Sequence, residues 1–173
     1  HPFVTREDLR TPLTAERRLP GLALCAETQL RFIEALVGRD EVPALVDGRD
    51  GPSPFTLDDS PYGHGDADIL YAMVRSFKPR RIVEIGAGAS TRVIQAALRR
   101  NAADSNEASA RHICIEPYEQ PWLEDFGVEV VRARIEETDP SALLGLEEND
   151  ILFIDSSHVI RPQGDVVYEF LEI

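Results

Sequence analysis

The 173-residue sequence predicts an α/β fold built on a doubly wound parallel sheet. Two observations predict it. Between residues 66 and 173, short apolar runs alternate with segments of helical spacing, and the runs are continuous, as in strands buried on both faces. A Gly-rich turn, Gly86-Ala87-Gly88-Ala89, then joins the first run to a helix. Right-handed crossovers place helices on each face of such a sheet. A ligand then sits beyond the carboxyl ends of the strands, where strand order reverses.

The elements follow in order. Residues 1–21 are polar, carry Pro2, Pro12 and Pro20, and read as an extended arm. Residues 22–37 place Leu22, Leu30, Ile33, Leu36 and Val37 at helical spacing, with Gly38 as the stop. Glycines and prolines crowd residues 47–65, which read as loop. A helix over 66–77 starts near Asp66 or Asp68 and ends at Pro79. Strands are expected over 81–85, 111–116, 128–133 and 150–155, with a helix over 90–100 and a polar loop over 101–110. Asp139 or Ser141 caps a short helix through Leu146, and 164–173 is helical. The expected organisation is an N-terminal arm and helix over 1–60 followed by the sheet domain over 61–173.

Composition narrows the function classes. Acidic residues number 31 against 18 basic ones, a net charge of −13 that repels phosphate backbones. No run approaches the ~18 apolar residues of a membrane span. The expected partner is therefore a small molecule, with neither nucleic acid nor membrane. Oligomeric state stays open. Two cysteines make no disulfide scaffold, and Cys114, inside an apolar run, reads as a small buried hydrophobe. The start, His1-Pro2-Phe3, has neither a basic segment nor an apolar one, so a cytoplasmic setting is expected.

Three acidic positions fall at strand ends. Glu84, just before Gly86 and Gly88, leads into a helix N-terminus whose free N–H groups suit a ligand. Glu116 ends the second strand, where a carboxylate can hold a ribose diol. Asp155 ends the fourth, three residues before His158. Asp155 reads as a metal ligand or a substrate-orienting group. His158 reads as a general base, or as a structural histidine bonded to backbone. His64, between Gly63 and Gly65, reads equally as a cleft residue or a solvated one.

Together, "GDADILYAMVRSFKPRRIVEIGAGAST", "HICIEP" and "NDILFIDSSHVIRPQGDVVYEFLEI" resemble a class I S-adenosylmethionine-dependent methyltransferase, and more narrowly the bacterial group called methyltransferase family 24. The resemblance implies a Rossmann-like sheet of the class I methyltransferase type and S-adenosylmethionine as cofactor. It assigns the methionine part of the cofactor to Glu84, Gly86, Ala87, Gly88 and Ser90, the ribose to Glu116, and the adenine border to Arg134 and Ile135. It places Asp155 at the methyl-transfer site, where some O-methyltransferases bind a divalent cation such as magnesium. It also implies three further strands beyond the four counted here, so an N-terminal fragment is expected. The leading expectation is methyl transfer to a small molecule, at oxygen, with His158 as proton acceptor. The alternatives are a non-catalytic methyltransferase-like binding module and a nicotinamide-dependent oxidoreductase. Against the oxidoreductase, Thr91 stands where its fingerprint wants a third glycine.

Overall fold

The structure is a computed structural model that describes residues 20–38, 41, 56, 62–105, 110–139, 141 and 145–173. The expected arm up to residue 19, most of the 47–65 loop, and residues 106–109, 140 and 142–144 lie outside the described residues. The chain divides into two compact units, residues 1–34 and 35–173.

The helix α1 (Ala26–Ala35), all but its last residue in the first unit, begins later than the apolar spacing suggests. Cys25 adopts φ 47°, a left-handed conformation that cannot continue a helix, and its carbonyl accepts the first turn's N–H groups from Thr28 and Gln29.

The second unit holds a four-stranded parallel sheet in the order β3-β2-β1-β4. Its strands are β1 (Arg81–Ile85), β2 (Arg111–Ile115), β3 (Glu129–Val131) and β4 (Ile151–Ile154). The order reverses at β1, between β2 and β4. The Asp150 carboxylate accepts hydrogen bonds from the N–H groups of Arg80 and Arg81 at 3.1 and 2.8 Å, which ties the start of β4 to that of β1. Two helices, α2 (His64–Phe77) and α3 (Ala89–Ser105), cover one face. There Leu70, Tyr71, Val74, Ile82, Val93, Ile94 and Leu98 form a buried core. Each such aliphatic side chain contributes at most about 1.5–3 kcal/mol. On the opposite face, Val83, Ile85, Ile113, Ile115 and Ile135 form a second core against α5 (Asp165–Leu171) and a 3-10 turn at Ile135–Glu137. Helices on both faces complete the doubly wound α/β arrangement.

Several boundaries differ from expectation for visible reasons. α3 runs on to Ser105 because Asn101 and Asp104 both bond the buried Arg75 of α2, and Asn101 Nδ2 donates to Val74 O at 2.9 Å. β3 ends at Val131 because Arg132 turns away, its guanidinium donating to the carbonyls of Glu116 and Tyr118 and to Glu124. A short helix, α4 (Pro121–Glu124), was not foreseen. It rests on α3 through Arg92, whose guanidinium lies 4.2 Å over the Trp122 ring. No helix among the described residues is long and apolar enough to cross a membrane.

Candidate functional site

The site grows from the ends of three strands. Gly86 follows β1 at φ +83°, the left-handed region that glycine alone enters without cost. Its N–H donates to Ile115 O at 3.0 Å, and the Asp155 N–H donates to Ile85 O at 2.9 Å. The ends of β1, β2 and β4 are thereby pinned together. A Cβ on Gly86 would lie 2.1 Å from the Asp155 carbonyl oxygen. Gly88 differs: a Cβ there meets nothing within 4 Å, so its missing side chain keeps space open above the turn.

Beneath the turn, Glu84 is fully buried. Ser90 Oγ donates to its Oε1 at 2.6 Å, and Thr91 Oγ1 donates to its Oε2 at 2.8 Å. His112 Nε2 lies 3.0 Å from the same Oε2, and Cys114 Sγ donates to it from 3.3 Å. Gln95 Nε2 donates to His112 Nδ1 at 2.9 Å, so the neutral imidazole carries its proton on Nε2 and donates it to Glu84. Burial, then the Glu84 charge, pushes the Cys114 thiol far above its ordinary range and keeps it an S–H donor. The network supports the turn through Thr91, whose Oγ1 accepts the Gly88 N–H at 3.0 Å. Glu84 therefore supports the turn from below and does not line the cleft. Removing the carboxylate orphans several buried donors. Glu84→Ala should cost about 3 kcal/mol of stability and Glu84→Gln less, as read by urea denaturation.

Two cavities flank the turn and meet at Gly86, Ala87 and Asp155. The smaller, about 310 Å³, is bordered by Glu116, Tyr118, Arg134, Ile135, Ser157 and Arg161 among others. Glu116 is held there by the N–H groups of Ala87 on Oε2 (3.0 Å) and Tyr118 on Oε1 (2.8 Å). Each oxygen keeps acceptor capacity beyond that one bond. The larger cavity, about 890 Å³, opens between α2, the Gly-rich turn and β4. It is bordered by Tyr62, Asp66, Gly88, Ser90 and His158, with Ile69, Met73 and Phe153 as apolar wall.

His158 Nε2 lies 2.8 Å from Asp155 Oδ1, and the imidazole is 72% exposed. Its backbone stands at φ 57°, a left-handed conformation uncommon outside glycine. Asp165 holds this loop: its carboxylate accepts the Ser157 N–H and Oγ–H, both at 2.8 Å. Burial works against the Asp165 charge, yet those bonds keep its carboxyl below the ordinary range.

Gly86, Ala87, Gly88, Ser90, Glu116, Arg134, Ile135, Asp155 and His158 thus border one cavity or both, whereas Glu84 and His64 border neither. His64 opens α2 as an exposed residue. The supporting roles of Gln95, His112 and Asp165 were missed. Only the tertiary pairing reveals them, since His112 lies within an apolar strand that looks like any other.

A family model described as a methyltransferase domain matches residues 83–173, more than half of the chain, from the last three residues of β1 through α5. The fold and this match define the class, and the chain belongs to that methyltransferase family. No curated protein matches it. Among the described residues, Glu84, His112 and Cys114 form the group of three whose ligand atoms converge closely enough for a metal, but the hydrogen bonds above already occupy them. Asp155, to which the family resemblance assigns a divalent cation, stands in no such group among the described residues.

Proposed function

We propose that the chain transfers a methyl group from S-adenosylmethionine to an oxygen of a small molecule. The observation that carries the reading is the pair of cavities meeting at Gly86, Ala87 and Asp155, one for the cofactor's adenosyl part and one for the acceptor. The residues fit such a cofactor. Gly88 leaves room above the turn, and Glu116 keeps acceptor capacity on both oxygens for a ribose diol. Gly86, Ala87, Gly88 and Ser90 would hold its methionine part, and Ile135 would border its adenine. The chemistry the cofactor supplies when bound is an activated methyl group on a sulfonium.

What the chain adds is positioning and proton transfer. With Nε2–H donating to Asp155, His158 presents Nδ1 to the acceptor's hydroxyl proton. Asp155 orients the ring and stabilises the imidazolium that forms. His158→Ala should lower kcat about 100-fold. The test is an assay of S-adenosylhomocysteine release over a panel of hydroxylated acceptors. The proposal predicts turnover that depends on the acceptor and falls with the substitution. Turnover unaffected by His158→Ala would remove His158 from the mechanism, and no turnover with any hydroxylated acceptor would count against oxygen as the target.

A further inference from the structure

Both cavities carry more acids than bases, but the smaller mixes the two signs and the described charged residues of the larger are all acidic. The smaller is bordered by two arginines, Arg134 and Arg161, beside the acids Glu116, Glu136, Asp155 and Asp165. The larger carries Asp66 and Asp155 and, among the described residues, no lysine or arginine. An apolar wall comes from Ile69, Leu70 and Met73 on α2 and Ile151, Phe153 and Ile154 on β4, beside the polar Tyr62, Ser90 and His158. Tyr62 reports the field inside. Its phenol is held far above the usual range, first by burial and then by the charges of Asp66, Asp155 and Glu84.

Asp155 borders both cavities and is committed to His158, whereas Asp66 borders only the larger one. Asp66 also lies in the first turn of α2, where an acid complements the helix dipole. That role accounts for a carboxylate at the helix start. The position also puts that carboxylate on the border of a cavity whose described charged residues are acids alone, beside an extended apolar wall.

Resting on the reading of the site as a methyl-transfer site, we infer that the larger cavity takes an acceptor with an apolar, ring-sized body and a cationic amine, and discriminates against anionic acceptors. The apolar wall receives the ring, His158 meets its hydroxyl, and Asp66 faces the ammonium. A carboxylate in the ammonium's place meets the like charge of Asp66. The overall charge of −13 favours cations too, but salt screens that long-range part, so local selectivity should persist at physiological ionic strength.

The test uses three phenols of one shape: tyramine (cation), tyrosol (neutral) and 4-hydroxyphenylacetate (anion). Each is titrated calorimetrically at pH 7 and 150 mM salt into the chain saturated with S-adenosylhomocysteine. Tyramine should bind roughly tenfold tighter than 4-hydroxyphenylacetate, with tyrosol between them. Asp66→Asn should remove most of that ratio without changing affinity for S-adenosylhomocysteine. Asp125→Asn, an exposed acid bordering neither cavity, should leave the ratio alone. Three results would overturn the inference: equal or tighter binding of the anion, a ratio unmoved by Asp66→Asn, or no binding of any phenol while S-adenosylhomocysteine binds. Failure of S-adenosylhomocysteine itself to bind overturns the methyl-transfer reading, and this inference with it, and is seen in the first titration.

Discussion

Gly86→Ala should destabilise the chain by about 4 kcal/mol or more, the largest effect expected of any single methyl group here. Two costs add. The backbone at φ +83° is unfavourable for an L-residue, and the new Cβ falls 2.1 Å from the Asp155 carbonyl oxygen. That oxygen cannot simply swing aside, because the Asp155 N–H is bonded to Ile85 O. The clash therefore pushes β4 away from β1 at the point where three strand ends are joined. Urea denaturation of the two proteins checks this. A loss below about 1 kcal/mol would show that the strand ends are not locked as described.

Gly88→Val should have the opposite signature. Its backbone is not in the left-handed region, and nothing lies within 4 Å of a Cβ placed there. The N–H to Thr91 Oγ1 survives the change, so stability should stay within about 1 kcal/mol of the parent. The isopropyl group nevertheless fills the space above the turn that the cofactor needs. Affinity for S-adenosylhomocysteine should fall at least about 100-fold, as measured by calorimetry on a variant shown by circular dichroism to be folded. Two glycines separated by one residue thus serve different ends, Gly86 the fold and Gly88 the ligand. A variant that unfolds at Gly88, or binds normally, would erase that distinction.

The sheet was legible because its strands are short continuous apolar runs, those of β1 and β2 buried on both faces. Ile82-Val83 and Ile151-Leu152-Phe153-Ile154 are uninterrupted apolar runs, and Pro79 and Pro117 mark helix and strand limits. Glu84 interrupts its run, and the sequence suggests a carboxylate reaching for a ligand. The side chain instead points into the core, because position 84 shares the face of Ile82, and four donors wait there on α3 and β2. That outcome depends on His112 and Cys114 arriving in register from β2, where Glu84 pairs with Cys114. Nothing in the local spacing encodes it. The extension of α3 past Arg100 was hidden for the same reason: residues 101–105 look like polar loop until Arg75, from another helix, supplies their partner. The chemistry at strand ends was easier to read. Gly86, Glu116 and Asp155 each directly follow a strand, and a parallel sheet gathers such positions at one edge whatever the loops do.

On the proposed function, the Gly86–Gly88 turn, with Glu116 beside it, forms an adenosyl-ligand site. A calorimetric titration of the chain with S-adenosylhomocysteine tests it most directly, with NADH titrated in parallel. Saturable one-to-one binding in the micromolar range is expected, lost in Gly88→Val and absent for NADH. Binding of NADH in place of S-adenosylhomocysteine, or no binding of either by the folded chain, would contradict it.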